Sequence, residues 1–350
     1  MLSITLEGPP FERGYQHGRQ FAAEIKETIR VYCPEHWLTS PEARQLEHRL
    51  LGSLASHSPE LVTEMVGISK GAGVSFDQVT MLNLVLATND LASESISTTF
   101  KLACSAIGIS DTEVGPIVAK NCDETKTAAP FYLFQTVRPE DGLAFMGISW
   151  VGTIWLEGGM NEAGFALMQT AGPLVPNQDG CGIVCNVAPR LVLARSRTTQ
   201  EGVEKFREMR VAGWGMGAVL ADTEGNVAVI EKTYDLLATE PVQAGVGFCT
   251  NHFLDPVMMS ATVPTDHEGL EENSKARYET LTTLFTEHNW PHTLDGVKRA
   301  LAYHGEAGFV CQHGDAGLHS NYSCVALPRT QKVLLSEGNP CLNSYNEYCL

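Results

Sequence analysis

The sequence predicts an α+β protein in which antiparallel sheets lie between helical layers. Three observations support this prediction. Helical periodicity dominates the first hundred residues, short β-branched and aromatic runs separated by turn residues begin at Cys104, and helix and strand patterns then alternate. The chain has no Gly-rich phosphate-binding motif, which argues against a nucleotide-binding fold.

The N-terminal part is predicted to contain three helices. Apolar residues recur at helical spacing over Phe11–Ile25, and Gly14 and Gly18 lie four residues apart there. Because glycine disfavours a helix, we expect these two glycines to admit a neighbouring backbone. A Leu-rich helix is predicted from Pro41 towards Gly67, and the segment Ser75-Phe-Asp-Gln78 predicts a capping box for a third helix.

The remainder of the chain alternates between predicted strands and helices. The predicted strands are Cys104–Ile109, Ile117–Asn121, Phe131–Arg138, Leu143–Trp150, Ile154–Glu157, Phe165–Gln169, Gly217–Ala221, Val227–Glu231, Val325–Pro328 and Lys332–Ser336. The predicted helices are Pro189–Ser196, Thr199–Arg210, Asn273–Glu287 and Leu294–Tyr303.

Composition excludes several classes of partner. The formal net charge of −17 argues against nucleic acid or an anionic membrane as a main partner. We find no apolar run long enough for a membrane helix and no signal-peptide pattern at the N-terminus. The ten cysteines have no repeating spacing, which favours free thiols and a cytoplasmic location.

A zinc site is weakly indicated by one group of Cys and His residues. It would use Cys311, His313, His319 and Cys324, which contain neither a C-x-x-C nor an H-x-x-x-H pair. Ordinary loop residues are the favoured interpretation, so the sequence predicts no metal and no cofactor.

The stretch Leu102–Ser110 is the strongest candidate for a catalytic centre. It places Cys104 between two small residues at the start of a predicted strand, and the next strand is followed by Asp123. A thiol and a carboxylate at the ends of neighbouring strands suit a nucleophile with an electrostatic partner. Considered alone, the motif fits a buried thiol equally well, because unpaired cysteine is among the most buried residue types.

Several patches together resemble the acyl-CoA:isopenicillin N (6-aminopenicillanic acid) acyltransferase family, the C45-type N-terminal-nucleophile hydrolases. The patches are Glu7-Gly-Pro-Pro-Phe-Glu-Arg-Gly-Tyr-Gln-His-Gly-Arg-Gln20, Ala103-Cys-Ser105, Asn121-Cys-Asp123, Thr250-Asn-His-Phe253 and Ser336-Glu-Gly-Asn-Pro-Cys341. Their order and spacing match the family from one end of the chain to the other. The chain departs from the family at Ala103, where glycine is commoner, and at Cys122, which replaces an aromatic residue.

The resemblance implies a four-layer αββα fold and a precursor that cleaves itself between Ala103 and Cys104. Residues 1–103 would remain bound as a helical subunit of an αβ heterodimer, and residues 104–350 would form the catalytic subunit. Together they would make one domain.

The resemblance also implies how the site works. Cys104 would be the nucleophile, and its own α-amine, with a reference pKa of about 7.7–8.0, would be the base. Asn251 would donate to the oxyanion, Asp123 would orient the amine, and Arg277 would pair with Asp123 or the thiolate. From the residues alone, Asn251 fits a turn, Asp123 a solvated strand end and Arg277 an exposed helix position.

The predicted function is therefore an N-terminal-cysteine amidohydrolase or acyltransferase acting through a Cys104 thioester. Its substrate would be a small N-acyl compound, with acyl-CoA as a candidate partner. Two alternatives stay open: an uncleaved internal-cysteine hydrolase with a histidine partner, and a non-catalytic binding protein on the same scaffold.

Overall fold

The computed structural model describes residues 1–88, 103–175, 181–240, 242–263, 269–314 and 317–350. Leu102, the first residue of the candidate catalytic stretch Leu102–Ser110, lies outside these residues. Within the described ranges the α-helices are α1 (Pro10–Gln20), α2 (Ala22–Tyr32), α3 (Pro41–His57), α4 (Pro59–Ala72), α5 (Phe76–Thr80), α6 (Ala188–Leu193), α7 (Thr199–Glu208), α8 (Pro256–Ser260), α9 (Leu270–Thr282) and α10 (Leu294–Leu301). Short 3₁₀-helices cover Glu35–Leu38, Lys126–Phe131 and Pro328–Thr330, and π-helical turns cover Met81–Val85 and Thr283–Glu287.

The described strands are β1 (Leu2–Gly8), β2 (Ala103–Ile109), β3 (Ile117–Glu124), β4 (Tyr132–Pro139), β5 (Phe145–Trp150), β6 (Gly158–Asn161), β7 (Ala166–Leu174), β8 (Ile183–Val184), β9 (Val211–Ala212), β10 (Trp214–Ala221), β11 (Val227–Lys232), β12 (Leu237–Glu240), β13 (Val246–Cys249), β14 (His304–Gly305), β15 (Gly308–Phe309), β16 (His319–Leu327), β17 (Lys332–Glu337) and β18 (Asn346–Cys349).

Two large sheets form the centre of the fold. The first has the strand order β1-β4-β5-β6-β7-β10-β11-β12, and the second has the order β13-β2-β3-β16-β17-β18. Neighbouring strands in both sheets are antiparallel except β1 and β4, which are parallel. Small pairs complete the topology: β14 with β15, and β8 with β9.

Alternation of side chains along the strands creates two apolar layers. One core fills the space between the sheets and the N-terminal helices, and it includes Ala106 and Val118. The other core lies between the second sheet and helices α9 and α10, and it includes Ile107 and Leu281. The helices therefore cover both outer faces, so the prediction of two antiparallel sheets between helical layers is confirmed.

The two sheets approach closely because small residues face each other. A Cβ on Gly108 of β2 would lie 2.4 Å from Cγ1 of Val219 on β10. Ala106, on the same face of β2, is fully buried. Because packed sheets lie about 10 Å apart, small residues at this point leave room for larger polar side chains near the end of β2.

The glycines of α1 hold it directly against α4. A Cβ on Gly14 would lie 1.9 Å from the Glu64 carbonyl oxygen, and one on Gly18 would lie 2.3 Å from the Ile68 carbonyl oxygen. Gly67 of α4 faces the backbone of α1 in the same way. The expected close approach at Gly14 and Gly18 is confirmed, and so is the Ser75–Gln78 capping box.

Some predictions of secondary structure are wrong. The mainly helical N-terminal segment also contains a strand, because β1 pairs with β4 in the first sheet. The helix predicted from Pro41 towards Gly67 is two helices, α3 and α4, because Pro59 keeps Ser58 out of the helical conformation. Residues 154–157 form a loop instead of a strand, because the Asn83 side chain binds the backbone there: its Oδ1 accepts from the Ile154 N–H at 2.7 Å, and its Nδ2 donates to the Gly152 carbonyl. None of the described helices has the length and apolar character needed to cross a membrane.

Candidate active site

The hairpin partners β2 and β3 bring the predicted catalytic residues together at one end of the second sheet. Cys104 pairs with Cys122, and Ala103 pairs with Asp123. Because directly paired residues share a face, the two thiols project between the sheets while Asp123 lies on the opposite face, towards the helices. Cys104 is 4% exposed, and Asp123 is fully buried.

The backbone of Cys104 is held on both sides by polar side chains. Its N–H donates to Oδ1 of Asn251 at 2.8 Å, and its carbonyl oxygen accepts from Nη1 of Arg277. Nη2 of Arg277 also donates to Oδ1 of Asn251 at 2.7 Å. These contacts link three of the predicted site residues, which are separated by up to 173 positions in the chain.

Arg277 is buried on α9 and is fixed by further contacts. Nη1 donates to Oγ of Ser105 at 2.9 Å, and Nε donates to Oδ1 of Asn273 one helical turn earlier at 2.8 Å. The interpretation of Arg277 as an exposed helix residue is therefore wrong, because its guanidinium is completely buried against the start of β2.

The amide of Asn251 has a defined orientation. Its Oδ1 accepts from both Cys104 and Arg277, so Nδ2 is the group that donates to the Ala171 carbonyl at 2.8 Å. Nδ2 carries a second hydrogen, which is the one an oxyanion would use. The structure gives the Cys104 N–H to Asn251, whereas the sequence assigned the amine to Asp123. The oxyanion role and the Asp123 role both stay predictions.

Asp123 has an incompletely satisfied carboxylate. Oδ1 accepts from the Ser320 hydroxyl, while Oδ2 has no hydrogen-bond partner among the described residues. Burial raises the pKa of Asp123 to about 6, and the Arg277 charge and the Ser320 hydroxyl offset only part of that effect. The interpretation of Asp123 as a solvated strand end is therefore wrong.

The Cys104 thiol lies in an unusual electrostatic environment. A hydrogen bond from the Cys122 thiol, together with the Lys120 cation, lowers the pKa of Cys104 to about 7 against the opposing effect of burial. Conversely, burial raises the pKa of Cys122 well above its ordinary value. The departure at Cys122 thus places a proton donor beside the nucleophile.

Lys120 is a site residue that the sequence analysis missed. It is 1% exposed, and its Nζ lies 3.5 Å from Oε2 of Glu157 and 5.6 Å from the centre of the Tyr322 ring. Tyr322 and Trp150 donate hydrogen bonds to Glu157 and complete this network. A lysine directly after the apolar run 117–119, inside a predicted buried strand, was an available signal, since a buried charge needs partners.

Among the described residues, histidine reaches this arrangement only through Ser274, whose Oγ accepts from the Asn251 N–H. Within the described ranges, no hydrogen bond joins a histidine to Cys104. His252 is half-buried, its Nδ1 lies 2.8 Å from Oγ of Ser274, and burial lowers its pKa to about 4. His304 lies on β14, in the separate surface hairpin that β14 forms with β15.

The structure does not bring together the four residues of the weak zinc pattern. Cys324 is fully buried in β16, on the inter-sheet face, and the charge of its thiolate form contributes to the raised pKa of Lys120. His319 has its Nδ1 3.3 Å from Oδ1 of Asn321. Cys311 and His313 lie side by side, and His313 also pairs with His319 in an isolated antiparallel bridge.

Comparison with known sequences gives one extended match. The sequence profile described as acyl-coenzyme A:6-aminopenicillanic acid acyl-transferase matches residues 110–301, just over half of the chain. The matched range contains Asp123, Asn251 and Arg277, and it begins after Cys104.

Individual relatives are more distant. The beta-alanyl-dopamine/carcinine hydrolase of Drosophila melanogaster is 34% identical over 86 residues, which are 23% of this chain and only 22% of that protein. The N-acylethanolamine-hydrolyzing acid amidase ortholog of Caenorhabditis elegans is 13% identical, with a TM-score of 0.46 over 65% of this chain and 93% of that one. A conjugated bile acid hydrolase mutant from Clostridium perfringens is 10% identical, with a TM-score of 0.45 over 71% and 92%.

Proposed function

This chain belongs to the acyl-coenzyme A:6-aminopenicillanic acid acyl-transferase family, and we propose that Cys104 is the nucleophile of a self-activating amidohydrolase or acyltransferase. The main support is the convergence of Asn251 and Arg277 on the two backbone groups of Cys104. A buried cysteine that only fills the core needs no such clamp. The lowered pKa of its thiol gives the same residue nucleophilic character near neutral pH.

In the proposed activation, the Cys104 sulfur attacks the carbonyl carbon of Ala103. The C–S bond forms as the C–N bond of the Ala103–Cys104 peptide breaks, and the thiol proton passes to the released nitrogen. Water then hydrolyses the thioester to leave the Ala103 carboxylate and a free Cys104 amine and thiol. Asn251 holds the nitrogen throughout, because its Oδ1 accepts from the amide before cleavage and from the amine afterwards.

In the proposed turnover, the freed amine accepts the thiol proton and the thiolate attacks the substrate carbonyl. The second hydrogen on Nδ2 of Asn251 stabilises the oxyanion. The leaving amine takes the proton as the tetrahedral intermediate collapses to a thioester. Water completes hydrolysis, and an acceptor amine completes acyl transfer.

The N-terminal segment remains part of the proposed enzyme after cleavage. β1 pairs with β4 along its whole length, and Nη2 of Arg190 donates to both carboxylate oxygens of Glu64 on α4. Asn83 also binds the loop around Gly152 and Ile154. These contacts would hold residues 1–103 and 104–350 together as a heterodimer.

The proposed substrates are small N-acyl amides, with acyl-CoA thioesters as alternative acyl donors. The family description names an acyl-CoA donor, and the Drosophila relative is named for β-alanyl amine conjugates. The net charge of −17 favours neutral or cationic substrates over anionic ones. We therefore expect activity on N-acyl amine conjugates before acyl-CoA.

Intact-protein mass spectrometry tests the proposal. Two fragments beginning at Met1 and Cys104 are expected from the purified wild-type chain, whereas Cys104→Ala stays full length and inactive. Cys185→Ala removes another buried thiol and serves as the matched control, which must still cleave. Amide hydrolysis by a chain that remains full length would instead indicate the internal-cysteine mechanism. Failure of a thioester-forming acyl probe to label Cys104 would indicate a binding protein.

A further inference from the structure

The loop after α10 and the segment after β17 bring together four metal-binding side chains outside the active site. Cys311 and His313 lie on the loop, Cys341 lies thirty residues after Cys311, and His304 lies on the β14–β15 hairpin. Sγ of Cys311 and Sγ of Cys341 are 3.8 Å apart. Nε2 of His313 lies 3.5 Å from the first sulfur and 3.2 Å from the second.

The two separations at Cys311, 3.8 and 3.5 Å, match the edges of a tetrahedron around one zinc ion, and the 3.2 Å between His313 and Cys341 is slightly shorter than such an edge. With Zn–S of about 2.3 Å and Zn–N of about 2.0–2.1 Å, tetrahedral geometry requires sulfurs about 3.8 Å apart and a nitrogen about 3.5–3.6 Å from each. A disulfide instead requires the sulfurs to be bonded at about 2.05 Å. The ring of His304 lies 5.1 Å from that of His313, and a ring nitrogen of His304 falls within 4.8 Å of ligand atoms of His313 and Cys341.

We propose that Cys311, His313, Cys341 and His304 form a structural zinc site. Two thiolates and two imidazoles are a donor set that suits Zn²⁺. Nδ2 of Asn339 lies 3.5 Å from Sγ of Cys311, which gives that sulfur the kind of outer hydrogen bond that stabilises a ligating thiolate. His304 and His313 are exposed and Cys341 is half-buried, so the metal can enter from solvent.

The site would anchor a loop that supports the catalytic residues. Gln312, between two ligands, donates its backbone N–H to Oγ of Ser320, which in turn donates to Asp123. Oε1 of Gln312 accepts from Nδ2 of Asn273, and Oδ1 of Asn273 accepts from Nε of Arg277. Any effect of zinc on catalysis rests on the proposed function, whereas zinc binding itself does not.

Metal analysis of the purified full-length chain tests the proposal. After dialysis against metal-free buffer, we expect one zinc per chain by plasma mass spectrometry, and cobalt substitution should give a thiolate-to-cobalt absorption band. Cys341→Ser and His313→Ala should each lower zinc affinity at least tenfold. Cys349→Ser, which removes an exposed cysteine on β18, should leave the stoichiometry at one.

Two results would overturn the zinc site. The first is low zinc binding: the reduced wild-type chain, supplied with zinc, retains less than a tenth of an equivalent of zinc per chain. Zinc retention no higher than that of the Cys341→Ser/His313→Ala double variant would count in the same way. The second is a Cys311–Cys341 disulfide in freshly purified protein, found by peptide mapping without reductant. If Cys341→Ser fails to fold, the surface variant His304→Ala provides the same test, with a smaller loss of affinity expected.

Discussion

Two fully buried carboxylates, Glu64 and Asp123, both lie beside arginine side chains, yet their surroundings differ. Glu64 accepts hydrogen bonds on both oxygens from Arg190 and on Oε2 from Arg13 as well. Asp123 accepts one hydrogen bond from Ser320, and the nearby Arg277 makes its hydrogen bonds to other groups.

Their pKa values shift in opposite directions as a result. Burial alone would raise the pKa of Glu64, but Arg190 and Arg13 hold it below its ordinary value. Burial raises the pKa of Asp123 to about 6 because its charge is only partly compensated. Glu64 is saturated with donors, whereas Asp123 at the candidate site has one oxygen without a hydrogen-bond partner among the described residues.

The largest effect on stability is expected for Glu64→Gln. The substitution leaves two buried guanidinium groups without a counter-charge, which costs about 3–5 kcal/mol of unfolding free energy. Urea unfolding of the Cys104→Ala chain with and without Glu64→Gln measures the effect. Glu27→Gln breaks an exposed pair with Arg30 on α2 and should leave stability nearly unchanged. Equal losses for the two variants would contradict the comparison.

Asp123→Asn should increase the free energy of unfolding, whereas Glu64→Gln lowers it. The size of the increase should depend on pH. The folded pKa of about 6 exceeds the ordinary value of 3.8, so the folded chain holds this proton more tightly than the unfolded chain. Wild-type stability therefore falls as pH rises through 6, whereas Asn stays neutral. The variant should match wild type near pH 4 and exceed it by about 3 kcal/mol at pH 8.

Unfolding of the chain with Asp123 and of the Asp123→Asn chain is best measured in the Cys104→Ala background, so that both chains stay full length. Asp111→Asn, at an exposed turn, is the matched control and should show no difference that changes with pH. A constant stability difference for Asp123→Asn across this range would contradict the raised pKa. In the Cys104 chain, the same substitution should slow self-cleavage.

Gly14→Ala should separate α1 from α4 and with it weaken the contact between Arg13 and Glu64. The added Cβ would overlap the Glu64 carbonyl oxygen, and overpacking of this kind costs about 1–3 kcal/mol. Gly52→Ala, inside α3 with nothing within 4 Å of the new Cβ, should be neutral or stabilising by about 0.5–1 kcal/mol. Thermal or urea unfolding distinguishes the two, and similar behaviour would contradict the packing argument.

The smallest expected free-energy change is the one that Lys120→Met makes to the ionisation of the Cys104 thiol, which is separate from any loss of stability through the unpaired Glu157. Loss of the buried cation should raise the pKa of Cys104 by about one unit from about 7. The pH midpoint of Cys104 alkylation, followed by peptide mass spectrometry, should move upward by the same amount. Chains in the same processing state are compared. The control is Lys332→Met, which removes a surface ion pair with Glu347. An unchanged midpoint would show that Lys120 does not act on the thiol.

Much of the site could be predicted because its residues belong to local patterns. Cys104 and Asp123 lie at the ends of neighbouring strands joined by a short connection, so pairing brings them together without long-range information. The clamp on the Cys104 backbone could not be predicted in this way. It depends on how α9 and the end of β13 approach β2, across more than 140 positions of sequence. The partners of Lys120, Glu157 and Tyr322, are likewise set by tertiary packing.

The sequence by itself determined the alternation of helices and strands, the capping box at Ser75 and the close helix contact at Gly14 and Gly18, because each depends on local backbone chemistry. The tertiary structure alone decided which buried charges are compensated. It placed two arginines on Glu64, left Oδ2 of Asp123 without a hydrogen-bond partner among the described residues, and set Lys120 where its charge acts on the Cys104 thiol. Burial and the distance between charges set those energies, and both arise only when distant segments pack together.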